Sequence, residues 1–373
     1  MPKFKGNEVA EIRYTPMGAK DETVYEGDPS FIPDFADLED MQNAGNIDAP
    51  YAAEIEDPPR KVTKEKKDIP LSESEPIQKL TIVTGGAGFI GSHLIKELNI
   101  RGREDILLVD DLTDPRKIHN INTLKFQDYV DKSKFIEVFS FLAENKMVER
   151  IYHLGAESSR LCTDGKYLME NNYQYTCNIM DLCHLHKVPL VYASSATVYG
   201  DQHTCQPNRR SFNDKSDDYK PESYYAFSKL MIDKYSRKFH LPNAKNIIIG
   251  LRYFNVTPLR WMTEQFENYG YIELFEGSKE FKRDFIPVEE AVKWTIKAME
   301  SRQSGVYNVG TEKERSFYDI AADILEEEFS SDESNIKYIP MPEDIAQGYQ
   351  KFTKADMINS FDLEKTGNPG TKL

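Results

Sequence analysis

Lys79-Leu80-Thr81-Ile82-Val83-Thr84-Gly85-Gly86-Ala87-Gly88-Phe89-Ile90-Gly91 is the stretch whose reading decides the fold. Leu80 to Val83 reads as a short buried strand, which glycines terminate, and Ser92 to Asn99 reads as the helix that follows. Gly85 permits a tight turn. Gly88 lets the backbone approach a pyrophosphate, and Gly91 lets helix and strand pack closely. The helix N-terminus adds N–H groups and the positive end of a dipole. A second strand, Asp105 to Val109, is followed by Asp110, 19 residues beyond Gly91. Strand, turn, helix and acid-terminated strand in this order predict a dinucleotide-binding unit. Asp110 suits the ribose hydroxyls of NAD, whereas Arg116 and Lys117 downstream suit the 2′-phosphate of NADP. Local chemistry leaves that choice open.

Further strand-like runs lie at Arg150 to Leu154, Pro189 to Ala193 and Asn246 to Leu251. Helical stretches stand between or beside them, over Tyr167 to His186 and Tyr224 to Phe239. Apolar runs alternating with helices imply a parallel sheet covered on both faces. The prediction is an α/β protein with a doubly wound parallel sheet and a smaller C-terminal lobe. The expected divisions are an irregular tail over 1–78, a cofactor domain over 79–254, and a substrate lobe over 255–373 whose segments return to the sheet.

Composition narrows the partners. The chain has 373 residues, with 47 basic against 62 acidic side chains and a net charge of −15. That balance argues against a nucleic-acid partner, which needs a basic face. No apolar run approaches the length of a membrane span. The N-terminus lacks the apolar core of a secretory signal. Cys162, Cys177, Cys183 and Cys205 form no C-x-x-C pair and give no metal spacing with His184 or His186, so reduced thiols in a cytoplasmic protein are expected. Residues 1–78 carry 18 acidic and 9 basic side chains and nine prolines. Such a segment buries too little apolar area to order itself, and reads as a solvated tail. Its spaced aromatics, Phe4, Tyr14, Tyr25, Phe31, Phe35 and Tyr51, also suit an arm that docks on a protein partner.

Tyr225-Ala226-Phe227-Ser228-Lys229 places a tyrosine and a lysine one helical turn apart on one face. A phenol with a pKa near 10 is a poor base at neutral pH, and an adjacent cation favours its phenolate. Tyr225 can then exchange a proton with a substrate hydroxyl while hydride moves to a nicotinamide. Upstream, Val191-Tyr192-Ala193-Ser194-Ser195-Ala196-Thr197-Val198-Tyr199-Gly200 runs from a strand into small hydroxyl residues. Ser195 is placed to orient the reacting hydroxyl.

T-G-G-A-G-F-I-G, S-S-A-T-V-Y-G and Y-x-x-x-K, in this order, resemble the extended short-chain dehydrogenase/reductases, in the branch of nucleotide-sugar epimerases and dehydratases with a Rossmann-type fold. Asp164 to Tyr167, Asn171 to Tyr175, Arg252 to Val256, Phe275 to Ser278, Phe281 to Phe285 and Gly348 to Gln350 are similar to the ADP-glycero-manno-heptose 6-epimerase group within it, over roughly 79–360. The resemblance implies Ser195, Tyr225 and Lys229 as the catalytic set. It implies Gly85, Gly88, Phe89, Ile90 and Gly91 at the pyrophosphate, and Asp110, Asp111, Lys117 and Lys132 at the adenosine end. On the nicotinamide side it implies Gly155, Ala156, Ser158 and Asn171, with Lys229 and Val256. Sugar-nucleotide contacts fall on Asn255, Phe275, Glu276, Gly277, Ser278, Arg283 and Tyr349. A guanidinium fork at Arg283 suits a diphosphate. The resemblance favours NADP over NAD, an ADP-sugar-like substrate and a homo-oligomer, and implies no metal.

The chain departs from that group in one place. After Arg252-Tyr253-Phe254-Asn255-Val256 the family continues into a segment with a second catalytic lysine, which serves the opposite face of the sugar. Here Val256 to Glu273 is shorter and holds neither lysine nor histidine. Arg260 does not readily release a proton. Glu264 and Glu267 are the substitutes on offer. The last residues, with Gly367, Pro369 and Gly370, also lack the family's final helix. Three readings follow: an epimerase of the heptose type, a 4-epimerase that needs the tyrosine face alone, and a fold retained as an assembly component through the 1–78 arm.

Overall fold

The computed structural model describes residues 79–159, 162–200, 219–243, 246–257, 259–346 and 349–357. The expectations for 1–78, Cys205, Gly367, Pro369 and Gly370 lie outside the described residues. Strand β1 (Leu80–Thr84), helix α1 (Phe89–Ile100) and strand β2 (Ile106–Asp110) realise the opening stretch. Strands β3 (Asp128–Asp131), β4 (Val148–His153), β5 (Leu190–Ser195) and β6 (Ile248–Tyr253) follow. With β10 (Gly305–Val309) they form a seven-stranded sheet in the order β10-β6-β5-β4-β1-β2-β3. Every pairing in it is parallel. This is the doubly wound, Rossmann-type order, and its direction reverses between β1 and β4.

All five residues of β1 and of β2 are buried, because helices cover both faces. Helix α1 turns Leu94, Ile95 and Leu98 inward at helical spacing. Helices α2 (Phe135–Glu144), α3 (Tyr175–His186) and α4 (Tyr224–Tyr235) cover the sheet together with α6 (Val288–Ser301). Ser223 caps α4 by accepting from the N–H of Ala226 at 3.1 Å.

The smaller lobe is built from short pieces. Strands β7 (Asn255–Thr257), β9 (Lys282–Pro287) and β11 (Glu314–Ser316) form one three-stranded sheet, and β8 (Ile272–Phe275) pairs with β12 (Ile336–Ile339). Helices α5 (Arg260–Tyr269) and α7 (Phe317–Phe329) pack on them through Met262, Ile320, Ala321 and Leu325. A capping box between Ser316 and Asp319 starts α7.

Two helices depart from expectation. The stretch read as one helix over Tyr167 to His186 breaks into a short turn, a π-helical segment at Met169–Gln174, and α3. There Thr176 Oγ1 donates to the carbonyl of Asn172 at 2.6 Å, and the Asn172 carboxamide bonds outside the helix. The second, read over Tyr224 to Phe239, is α-helical only to Tyr235 and closes in a π-turn at Ser236–His240. Hydrophobic periodicity registers the face of a helix and is blind to one inserted residue.

One polar cluster lies under the sheet's C-terminal half. Arg252 on β6 and Asp233 on α4 are both fully buried, with Arg252 Nε donating to Asp233 Oδ2 at 2.8 Å. Tyr192 and Ser194 of β5 donate to the same carboxylate at 3.1 and 2.9 Å. Arg252→Met leaves Asp233 charged and buried without its cation. Its urea midpoint is expected to fall at unchanged m-value, by an amount equivalent to about 3–5 kcal/mol.

Candidate active site

The site is built at the point where the sheet order reverses, where ligands settle in open α/β sheets. Thr84 ends β1, His153 ends β4, and the two chains leave side by side. Gly85 has φ +67°, and a Cβ there would lie 2.6 Å from the backbone nitrogen of Gly155. A Cβ on Gly91 would lie 2.0 Å from the carbonyl oxygen of Gly85. These two glycines are required by backbone approach. Gly88 differs, because its sole neighbour within 4 Å would be the Gly85 oxygen at 3.2 Å. Helix α1 starts at Phe89 and Ile90 with no side-chain cap and no acid in its first turn. An open backbone cradle at an uncapped helix N-terminus fits a dinucleotide pyrophosphate.

Asp110 is committed to the turn itself. Its Oδ2 accepts from the N–H of Ala87 at 2.8 Å, and its Oδ1 accepts from Lys117 Nζ and the N–H of Asp111, both at 2.7 Å. Asn120 donates to the carbonyl of Ala87 from the other side. Lys132 Nζ lies 3.1 Å from Asp111 Oδ2 and donates to Asn171 Oδ1 at 3.4 Å. Hydrogen bonds from Thr113, with the Lys132 cation, hold the Asp111 carboxyl well below the usual range. Arg116 pairs with Asp114 at 2.8 Å. Thus the expected adenosine-end residues are together, and each cation among them has a carboxylate.

Across the switch point stand Ser195, Tyr225 and Lys229. Ser195 closes β5, and its Oγ accepts from the Thr197 N–H at 3.2 Å and the Thr197 hydroxyl at 2.9 Å. Because it accepts in both bonds, its own O–H remains a donor. Lys229 is 3% exposed, donates from Nζ to the carbonyl of Ala193 at 2.8 Å, and lies 6.0 Å from the Tyr225 ring centroid. Gly155, Ala156 and Ser158 follow β4 on the other side. A buried amine near the Tyr225 ring and a hydroxyl donor at the end of β5 are groups that suit proton exchange with a substrate alcohol.

The lobe brings the expected sugar-nucleotide residues together. Tyr349 makes an edge contact with Phe275 at 6.2 Å and stands 5.4 Å from Phe281. The Arg283 guanidinium lies over Tyr349 at 5.2 Å and is 1% exposed. Gly277 has φ +84°, Ser278 is buried, and Glu276 is exposed. Asn255 and Val256 lie on β7 opposite Phe285 and Ile286. Glu264 and Glu267 are both exposed on α5, and Glu264 is near enough to Arg116 to act on it electrostatically.

Gln350 and Asp284 lie inside runs that carry the resemblance, but the sequence reading gave neither a role. Gln350 accepts from Arg283 Nη1 at 3.4 Å and donates to the carbonyls of Ala196 and Gly200 at 3.3 and 2.9 Å. Asp284 is fully buried and accepts from the N–H groups of Thr311, Glu312 and Ala355. No local pattern marks the role of either, because their partners lie far along the chain.

Burial lowers the Lys229 pKa from 10.5 to about 8, and Asp233 opposes that shift. A base with a depressed folded pKa costs stability below its unfolded pKa, since the unfolded chain binds the proton first. The loss develops as pH falls from 10.5 to about 8 and is constant below. Lys229→Met is expected to flatten the stability profile across that window. Between about pH 11 and pH 7 its unfolding free energy should fall by roughly 3 kcal/mol less than the parent's does.

Comparison with known proteins was made on sequence and on fold. An ADP-L-glycero-D-manno-heptose-6-epimerase of Brachyspira hyodysenteriae is 40% identical over 293 residues, covering 74% of this chain and 89% of that protein. The crystal structure of the Helicobacter pylori ADP-L-glycero-D-manno-heptose-6-epimerase superposes with a TM-score of 0.58 at 25% identity, over 74% of this chain and 93% of that one. A UDP-N-acetylglucosamine 4-epimerase from Methanobrevibacter ruminantium superposes with a TM-score of 0.62 at 25% identity, over 76% and 90%. The NAD dependent epimerase/dehydratase family model matches residues 81–310. A glycine cradle at the switch point, a Ser-Tyr-Lys set across from it and these matches make the chain a member of the NAD dependent epimerase/dehydratase family.

Proposed function

We propose that this chain is a nucleotide-sugar epimerase of the heptose type, acting on an ADP-glycero-manno-heptose-like substrate by transient oxidation to a ketone and re-reduction. The observation that carries it is the Lys229 amine, buried 6.0 Å from the Tyr225 ring centroid and bonded to the Ala193 carbonyl of the strand that Ser195 ends. The 40% identical relative supports the substrate.

Gly85, Gly88, Phe89, Ile90 and Gly91 hold the pyrophosphate of the cofactor. Asp110, Asp111, Lys117 and Lys132 hold its adenosine end, and Gly155, Ala156, Ser158, Asn171 and Val256 its nicotinamide side. A nicotinamide cofactor held there would supply the hydride acceptor for the substrate carbon and the donor for its re-reduction. Ser195 donates to the reacting oxygen and fixes its direction. The Tyr225 phenolate takes the hydroxyl proton as the carbonyl forms, and returns it to the oxygen on re-reduction. The Lys229 cation stabilises that phenolate. Arg283 binds the diphosphate, with Asn255, Phe275 to Ser278 and Tyr349 around the nucleotide sugar. Changing the configuration requires the ketone to present its other face, by rotation or with a second proton carrier.

Val256 to Glu273 offers no lysine or histidine for that second role. This favours a second reading, a 4-epimerase that uses the tyrosine face alone on a nucleotide hexose. The remaining reading, an assembly component that binds cofactor without turnover, predicts no product from either substrate. A cytoplasmic homo-oligomer completes the reading. Among the described residues no helix is long and apolar enough to cross a membrane.

Purified protein with NAD or NADP and ADP-heptose decides among them. Interconversion of the heptose epimers is expected, and turnover of UDP- or GDP-hexoses alone would move the assignment to the 4-epimerase. Tyr225→Phe should lower kcat by at least about 100-fold while cofactor still binds. Cofactor choice has its own readout. The carboxylate of Asp111 occupies Lys132, a cation that a 2′-phosphate would use, and repels the phosphate itself. Asp111→Asn should tighten NADP relative to NAD by about tenfold in a fluorescence titration.

A further inference from the structure

We propose that Gln350 is a positioning residue that fixes the span between Arg283 and the turn carrying Ser195, so that a ligand held at Arg283 meets the Ser195 hydroxyl at a set distance. The proposal rests on the roles given above to those two residues. Gln350 is 5% exposed, and its carboxamide is the bridge between them. Its Oε1 accepts from Arg283 Nη1 at 3.4 Å. Its Nε2 donates to the carbonyls of Ala196 and Gly200 at 3.3 and 2.9 Å. A guanidinium offers only donors and a carbonyl only lone pairs, so a single orientation of the amide satisfies both ends. A glutamate here would turn a carboxylate on two carbonyls. A hydrocarbon side chain would serve neither end.

Each end of the bridge is itself held. Ala196–Tyr199 is one turn of 3-10 helix, with Ser195 as its N-cap and Gly200 after it. The N–H and the hydroxyl that reach Ser195 Oγ both belong to Thr197, inside that turn. Where the turn sits therefore decides where the Ser195 O–H points. The Gly200 N–H closes the turn on the Thr197 carbonyl at 3.1 Å. Gln350 thus grips the turn at its first residue and just beyond its last. At the other end, the segment after Gln350 lies along β9, the strand of Arg283, in a parallel bridge between Lys282 and Phe352. The Lys282 N–H donates to the Lys351 carbonyl and the Thr353 N–H to the Lys282 carbonyl, both at 3.0 Å. Asp284 accepts from the Ala355 N–H at 2.9 Å and donates from its own N–H to Thr353 Oγ1 at 3.1 Å. Arg283 and Gln350 are therefore one piece of the smaller lobe. Phe352 and Ala355 pack that piece in a cluster with Ala196, Val198 and Tyr199. Apolar contact is non-directional and leaves the register of the two surfaces open, whereas hydrogen bonds are directional and fix it. Register matters here, because a misplacement of about 1 Å is enough to slow a reaction about 100-fold.

The test uses the full chain with ADP, which occupies the Arg283 end alone, and with ADP-heptose, which spans both ends. ADP should slow amide hydrogen exchange over 196–200 by about fivefold in the parent protein, because the turn then opens only by breaking from an anchored partner. Gln350→Met keeps the length of the side chain and the Phe352 packing. It should lose that protection while its Kd for ADP changes less than about threefold. Its kcat for ADP-heptose should fall about tenfold. With Ser195→Ala already in place, the same substitution should cost less than about twofold, because the hydroxyl it aligns is gone. A merely structural role would leave the two losses multiplicative. Equal protection in parent and variant overturns the proposal, and so do multiplicative losses. Failure of ADP to bind removes the diphosphate role of Arg283, and the positioning role of Gln350 with it. If ADP binds and ADP-heptose is not turned over, the substrate reading falls, while the exchange difference still decides the role of Gln350. Should Gln350→Met fail to fold, Gln350→Glu takes its place: the carboxylate keeps the Arg283 pair, cannot donate to the turn, and should show the same loss of protection.

Discussion

The rest of the molecule depends on the contact between two backbones, Gly85 after β1 and Gly155 after β4. A parallel sheet whose order reverses must open a crevice at the C-terminal ends of the strands that part. Here those strands are hydrogen-bonded neighbours, so the crevice can be no wider than two adjacent chains. A side chain on Gly85 would stand 2.6 Å from Gly155 and wedge the crevice apart. With glycine there, Thr84 and His153 meet beneath the turn. The same closeness sets the cofactor cradle on one side and the small residues Gly155 and Ala156 on the other.

The floor of the site is polar, which is costly to bury and so must be fully bonded. Asp233 meets that condition with Arg252, Tyr192 and Ser194, drawn from α4, β5 and β6. Lys229 lies one helical turn before Asp233 on α4 and is pulled back toward its charged form by that carboxylate. Without it, burial alone would act on the amine. The ion pair under the sheet is thus also a device that keeps a charge beneath the phenol. Structural and chemical roles coincide because the same helix face must satisfy both.

What the sequence made legible was local. Strand, turn and helix are written in consecutive residues, and Tyr225 and Lys229 share a face by spacing alone. Ser195 was readable because a strand running into small hydroxyl residues is itself a pattern. Asn172 and Ser228 are 56 residues apart, and Gln350 meets Ala196 across 154, so no window contains both partners. The π-turns at Met169–Gln174 and Ser236–His240 were invisible for another reason. A single inserted residue shifts the face without breaking the apolar rhythm that marks a helix. Asp110 was half-read: its position was evident, but its commitment to the Ala87 N–H depends on how closely the turn folds back.

The clipped segment after Val256 bears on which chemistry the proposed site can complete. Gln350 ties Arg283, the proposed diphosphate ligand, to the Ala196–Gly200 turn that begins beside Ser195. The span from diphosphate to Ser195 is therefore set by protein bonds, and the carbon presented to Tyr225 follows from the length of the sugar between them. Nothing in that ruler depends on α5. Helix α5 instead buries Met262 in the lobe core and leaves Glu264 and Glu267 exposed, Glu264 within electrostatic reach of Arg116. Oxidation and re-reduction through Tyr225 need only the ruler and the Ser-Tyr-Lys set. The opposite face must obtain its proton by rotation of the ketone or from a group other than a lysine of this segment. On the proposed roles, Ser195, Tyr225 and Lys229 serve the oxidative half of the reaction alone, and inversion is a separate demand on the site.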